Sequence, residues 1–145
     1  MAAANISNLK GANIYFADVD KKTFQTGVEQ IQECIKINKL KSIKVVFTMH
    51  LGGSAVHQRD IYKLKKKFNF ILIEDACHAL GAKYPDTNHY VGSCIYSDFS
   101  IFSLHPVKSI TSGEGGLICT NNRFLYSKIL SARSHGIVKR QNYKY

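Results

Sequence analysis

The sequence predicts an α/β domain built on a mostly parallel β-sheet. Two short apolar runs, residues 43–48 and 70–73, are typical of buried strands, and a segment with helical periodicity precedes each of them. The second run is apolar throughout rather than alternating, which is typical of a strand covered on both faces. Strands that alternate with helices in this way indicate a doubly wound architecture with parallel strands.

The predicted elements alternate in type along the first half of the chain and change to a strand pair in the second half. In chain order they are strand 14–16, helix 26–37, strand 43–48, helix 56–68, strand 70–73, strands 97–103 and 116–120, and helix 122–134. Val28, Ile31 and Ile35 recur at helical spacing in the first helix. A loop containing Pro106 joins the last two strands, and Gly136 is the predicted stop of the last helix.

The formal net charge is +10, and lysines cluster at residues 36–44 and 63–67. Such a charge can indicate a nucleic-acid partner. Both clusters lie on or beside amphipathic helices, where lysine forms the solvated face, and no aromatic residues interleave with them for base stacking. We therefore expect a solvated surface and no nucleic-acid partner.

The cysteines and the hydropathy pattern indicate a cytoplasmic protein. Cys34, Cys77, Cys94 and Cys119 include no C-x-x-C pair, which predicts reduced thiols and no metal site. The first residues lack the charged flank and apolar stretch of a secretion signal. No apolar run approaches the roughly 20 residues that cross a bilayer, so we expect no membrane partner.

The first candidate for chemistry is the pair Glu74-Asp75, followed by His78, where the apolar strand 70–73 ends. Ligands of open α/β sheets bind outside the carboxyl ends of the strands. The alternative is structural, because Asp75 is also a favoured helix N-cap residue. Both interpretations stay open on these residues alone.

The second candidate is Lys108, which follows a predicted strand and a proline in the run F-S-L-H-P-V-K at residues 102–108. A lysine that is positioned and partly desolvated can form a Schiff base. An exposed loop lysine is the alternative. The nearby run G-E-G-G at residues 113–116 indicates only that the backbone needs positive φ or a close approach.

Taken together, these residues suit pyridoxal 5'-phosphate (PLP). That cofactor needs a carboxylate against its pyridinium nitrogen, a lysine for its aldehyde and donors for its phosphate. Asp75 can supply the carboxylate, Lys108 can supply the lysine, and Ser103 can supply one of the phosphate donors.

The same motifs resemble the DegT/DnrJ/StrS family of sugar aminotransferases over nearly the whole chain. The matching stretches keep the family's order: A-A-A-N at 2–5, Y-F-A-D-V-D at 15–20, E-D-A-C-H-A-L-G-A at 74–82, F-S-L-H-P-V-K at 102–108, G-E-G-G at 113–116 and R-S-H-G at 133–136. The first two resemble the family's early strand region. The resemblance implies part of the large domain of a PLP-dependent transferase of the aspartate aminotransferase type, a three-layer αβα fold with a mostly parallel sheet.

The resemblance also implies roles for four residues. Lys108 matches the catalytic Schiff-base lysine, and Asp75 matches the partner of the pyridinium nitrogen. His78 matches a family position near the cofactor's phenolic oxygen, and Ser103 matches a phosphate-binding serine. The implied reaction transfers an amino group from an amino acid, by family habit glutamate, to a keto sugar nucleotide through an internal aldimine on Lys108. The H-P-V-K and G-E-G-G spellings resemble the branch that makes UDP-4-amino-4,6-dideoxy-N-acetyl-altrosamine.

The chain also departs from the family pattern. It is much shorter, and the upstream phosphate loop and the small C-terminal domain have no counterpart, so we expect residues 1–145 to form a single truncated PLP-binding large domain. Ser54 follows Gly53 where the family usually has a Gly-Gln pair. The family's homodimer is implied only weakly, because much of the dimer surface has no counterpart. The alternative function is a non-catalytic truncated remnant; a sugar dehydratase is disfavoured, because such enzymes carry histidine at the position of Lys108.

Overall fold

A computed structural model describes residues 2–136 of the chain. Its helices are α1 (Ala2–Leu9), α2 (Val28–Ile37), α3 (Gln58–Phe68) and α4 (Arg123–Arg133). Its strands are β1 (Val45–Met49), β2 (Ile71–Asp75), β3 (Phe99–Ser103) and β4 (Gly116–Cys119). A short 3-10 turn, Leu51–Gly53, follows β1. The predicted elements from residue 26 onward are thus confirmed in type, with ends shifted by a few residues.

The four strands form one sheet in the order β1-β2-β3-β4. The first three run parallel, and β4 pairs antiparallel with β3. Met49, Asp75 and Ile101 are partners across the parallel strands. The carboxyl ends of β1, β2 and β3 therefore lie along one edge, and the predicted α/β class with a mostly parallel sheet is confirmed.

One face of the sheet packs against α2 and α3. Ile61 and Leu64 of α3 are buried with Ile31 of α2, and they meet Phe70 and Leu72 beneath them. The lysine cluster at 63–67 lies on the outer side of α3 and is largely exposed, which confirms the prediction of a solvated face.

The opposite face of the sheet is open within residues 2–136. Its large apolar side chains remain between 39% and 51% exposed: Val45, Phe47, Met49, Ile71 and Ile118. β2 therefore alternates between buried and exposed positions rather than being covered on both sides. The described residues supply two layers of the expected three-layer arrangement.

Two expectations for the first 20 residues are wrong. Residues 14–16 form no strand; Tyr15 and Phe16 are 48% and 76% exposed, because no described strand lies beside them to complete a ladder. Residues 2–5, which resemble the family's early strand region, lie in α1 (Ala2–Leu9). Three consecutive alanines favour a helix, and the Ser7 hydroxyl donates to the Ala3 carbonyl at 2.7 Å.

The ends of α4 follow the sequence signals. The Asn122 side chain accepts a hydrogen bond from the Leu125 amide at 3.1 Å, as an N-cap residue does. Gly136 adopts φ of 77° and donates its N–H to the Ser131 carbonyl at 2.7 Å. No helix within the described range is long and apolar enough to cross a membrane.

Candidate active site

The acidic pair at the end of β2 is divided between the two faces of the sheet. Successive side chains of a strand point to opposite faces. Glu74 is fully buried on the helix-covered side, whereas Asp75 is half-buried on the open side. Asp75 is therefore the carboxylate available to a ligand at this edge.

Asp75 begins a turn rather than a helix. Its Oδ1 accepts the Cys77 N–H at 3.1 Å, and the Ala79 N–H donates to the Ala76 carbonyl at 2.8 Å. No helix follows in residues 76–80, so Asp75 is not a helix N-cap, and its side chain only bonds within this turn. Within residues 2–136, Oδ2 of Asp75 accepts no backbone hydrogen bond.

Lys108 lies in the long loop between β3 and β4, which is closed on Leu104. The Leu104 N–H donates to the Gly115 carbonyl at 2.9 Å, while its carbonyl accepts from the Ser112 N–H and the Thr111 hydroxyl at 3.1 and 2.9 Å. A tighter turn places the Lys108 N–H 2.9 Å from the His105 carbonyl. These bonds restrict the backbone that carries Lys108.

The G-E-G-G run makes this closure possible. Gly115 has φ of 156°, and a Cβ at Gly116 would lie 2.9 Å from the Phe102 carbonyl oxygen. Gly115 is thus needed for its positive φ, and Gly116 is needed because another backbone segment approaches it closely. These are the two reasons for glycine that the sequence analysis gave.

Asp75 and Lys108 both act on the thiol of Cys77. Burial, with the Asp75 carboxylate as a further cause, raises the pKa of Cys77 to about 11, and the Lys108 ammonium opposes that rise. Lys108 is half-buried, and no ion pair involves it in the described part of the chain. The acidic and basic candidates therefore both affect the pKa of one side chain, as expected of groups that share a site.

The other two predicted residues lie at the same edge. Ser103 ends β3 on the face that carries Asp75, because it is two residues beyond Ile101, the partner of Asp75. Its hydroxyl accepts the His105 N–H at 3.2 Å. The His78 side chain is exposed and makes no hydrogen bond among residues 2–136.

Beneath Asp75 lies a buried polar network that the sequence analysis did not assign. Glu74 Oε1 lies 3.1 Å from His50 Nε2, and Tyr84 donates to both carboxylate oxygens at 2.8 and 2.9 Å. The hydroxyls of Ser97, at 2.7 Å, and Ser100 donate to Oε2. Glu74 thus faces four polar side chains.

These contacts keep Glu74 ionised. Burial raises the pKa of this carboxyl, but hydrogen bonds from His50, Ser100 and Ser97 outweigh that effect and bring the pKa below its ordinary value. A glutamate at the end of an apolar strand is a signal for such partners, since a buried carboxylate must be paired. Sequence spacing gave no means of identifying the partners.

The sequence matches a known protein family. The profile of the DegT/DnrJ/EryC1/StrS aminotransferase family matches residues 1–145. The chain belongs to this family.

One relative of this family member is the UDP-4-amino-4,6-dideoxy-N-acetyl-beta-L-altrosamine transaminase of Campylobacter jejuni serotype O:23/36, 41% identical over 140 residues. That match covers 97% of the chain and 36% of the relative. The chain therefore spans about a third of the length of the curated relatives it matches.

Two solved structures extend the comparison. The Helicobacter pylori PseC aminotransferase, involved in the biosynthesis of pseudoaminic acid, superposes with a TM-score of 0.85 at 30% identity, covering 99% of this chain and 36% of that one. Ntda from Bacillus subtilis, with bound cofactor PMP, has a TM-score of 0.81 at 25% identity and covers 99% and 31%.

Aminotransferases of this family depend on PLP. The donor set of the described residues fits such a group: a carboxylate at Asp75, an unpaired half-buried amine at Lys108 and a hydroxyl at Ser103.

Proposed function

We propose that this chain carries the catalytic core of a PLP-dependent aminotransferase. The reaction moves an amino group from an amino acid, glutamate by family habit, to a keto sugar nucleotide. The main supporting observation is that Asp75, at the end of β2, and the loop that carries Lys108 after β3 share the carboxyl edge of a parallel sheet, where both charges affect the pKa of Cys77. The sugar aminotransferase relatives support the substrate class.

Asp75 is proposed to hold the pyridinium nitrogen of the cofactor. When bound, PLP supplies an electron sink for the substrate carbon that carries the amine. An ionised carboxylate beside the ring nitrogen favours its protonated form. The turn bond from Cys77 orients Oδ1 and leaves Oδ2 to accept the pyridinium N–H.

Lys108 is proposed to be the residue that bonds to the cofactor aldehyde. Lys108 is half-buried in the loop that follows β3, at the same edge of the sheet as Asp75. With the cofactor bound, the Lys108 amine would take and return the proton of the substrate α-carbon, as general base and acid. The loop closure on Leu104 restricts the backbone from which that amine extends.

Ser103 and His78 complete the proposed cofactor site. The Ser103 hydroxyl is a donor for the phosphate, and the exposed His78 imidazole lies on the segment expected near the phenolic oxygen. We also propose that residues 1–145 form one cofactor-binding large domain, that the assembly is a homodimer, and that the acceptor is a 4-keto-6-deoxy-N-acetyl hexose on UDP.

The cofactor test compares three proteins: the wild type, Lys108→Ala and Lys128→Ala. Lys128 is an exposed lysine of α4 and serves as the matched control. Each is mixed with PLP, and its visible absorption is recorded before and after dialysis and borohydride reduction. The proposal expects a dialysis-resistant band and a reduced adduct on Lys108 in the wild type and in Lys128→Ala only.

A band of equal strength in Lys108→Ala, or no band in the wild type, would refute the assignment of Lys108. The second outcome favours the alternative, a non-catalytic member that keeps the fold without the cofactor. With a positive result, the amine transfer is measured as 2-oxoglutarate released from glutamate in the presence of the keto sugar nucleotide.

A further inference from the structure

We infer that the buried pair of Glu74 and His50 positions Asp75 for the cofactor, an inference that rests on the proposed function. Glu74 is 0% exposed and His50 is 3% exposed, so neither side chain contacts a ligand. Their role must therefore act through other groups.

His50 links the buried carboxylate to the backbone of Asp75. Its Nε2 faces Glu74 Oε1 at 3.1 Å, and its main-chain N–H donates to the Asp75 carbonyl at 3.0 Å. Because a carboxylate only accepts, Nε2 carries the hydrogen of this bond. One residue thus connects the buried charge to the strand end from which the Asp75 side chain projects.

The same histidine also fixes the neighbouring turn. Its carbonyl accepts the Gly53 N–H at 3.0 Å. A Cβ at Gly53 would lie 3.2 Å from the His78 carbonyl oxygen, so this turn packs directly on the segment after Asp75. His50 therefore bonds to the residue that begins this turn and to the loop that packs on the segment after it.

The burial of a charge at Glu74 indicates a role in addition to stability. A buried carboxylate adds little net stability compared with a well-packed apolar side chain, because its desolvation offsets its hydrogen bonds. Hydrogen-bonded partners of a ligand-binding group instead fix its orientation. The position of Glu74 directly before Asp75, with four polar partners, fits the second role.

The test uses His50→Leu, which removes the donor, and His50→Gln, whose amide nitrogen can replace Nε2. Glu74→Gln removes the charge with little change in shape. The control is Gln58→Met, since Gln58 is 1% exposed and bonded to Thr48 and the Tyr96 carbonyl but makes no contact with Asp75.

We expect His50→Leu and Glu74→Gln to bind PLP about 10-fold more weakly, the lower end of the loss seen when an orienting partner is removed. The pH dependence of the bound cofactor's absorption should shift toward that of Asp75→Asn. His50→Gln should restore both properties, and Gln58→Met should lose stability without either change. Wild-type affinity and absorption in His50→Leu and Glu74→Gln, or the same shift in Gln58→Met, would overturn the inference.

A second readout needs no cofactor and separates this inference from the proposed function. The Asp75 charge contributes to the high pKa of Cys77, so a displaced Asp75 changes the pH profile of Cys77 alkylation. Failure of the wild type to bind PLP refutes the proposed function alone. An unchanged alkylation profile in His50→Leu refutes the positioning role alone.

Discussion

The substitution Tyr84→Phe tests the buried network directly. Tyr84 is 2% exposed, and its hydroxyl donates to both oxygens of Glu74 at 2.8 and 2.9 Å. The substitution removes only this oxygen and leaves the ring in place. It therefore isolates one hydrogen bond to a buried charge.

A hydrogen bond to a charged group contributes about 1.5–3 kcal/mol. In this network each oxygen of Glu74 retains another donor, His50 on Oε1 and the two serines on Oε2. No carboxylate oxygen is left unpaired, so the expected loss lies in the lower part of that range, about 1.5–2 kcal/mol of unfolding free energy.

The assay is urea unfolding followed by far-ultraviolet circular dichroism. Tyr96→Phe is the matched control, because the Tyr96 ring packs 5.1 Å from the Tyr84 ring while its hydroxyl bonds to nothing among residues 2–136. We expect that control to change the free energy of unfolding by no more than about 0.5 kcal/mol. Equal losses in the two variants would refute the reasoning.

The same carboxylate predicts a dependence on pH. The pKa of Glu74 is lowered from an ordinary value of 4.5, because hydrogen bonds outweigh the opposing effect of burial. A carboxyl whose pKa is lower in the folded state than in the unfolded state stabilises the protein at any pH above its unfolded-state pKa. That stabilisation is lost as the pH falls through the folded-state pKa. The wild type should therefore lose stability below pH 4.5 more steeply than Glu74→Gln, and parallel curves for the two proteins would contradict this.

Two further predictions concern the edge of the site. Asp75→Asn should lower the pKa of Cys77 from about 11, because it removes a negative charge near the thiol, and Lys108→Ala should raise that pKa, because it removes a positive charge. Alkylation of the Cys77 peptide, measured across a range of pH, reports both shifts. Shifts of the same sign in the two variants would count against the proposed site. In thermal unfolding, Gly53→Ala should destabilise the protein more than Gly52→Ala. Both glycines have positive φ, which costs an alanine about 1–2 kcal/mol, but only at Gly53 would the new Cβ meet a backbone oxygen, at 3.2 Å. Equal losses in the two variants would argue against that packing.

The sequence predicted the repeating part of the fold because its signals are local. The apolar runs at 43–48 and 70–73 marked two parallel strands, and helical spacing marked the helices that cover them. The same kind of signal failed at residues 14–16, where a strand needs a neighbour that local composition cannot supply.

The sequence also selected Asp75, Lys108 and Ser103 by residue type and by the family resemblance. Only the tertiary structure separated Glu74 from Asp75, because the strand alternates its side chains between a covered face and an open one. Likewise, only the structure joined His50, Tyr84 and Glu74, which are far apart along the chain. Spacing determines which residues share one strand or helix, whereas contacts between elements depend on strand order and register, and these are decided when the sheet packs.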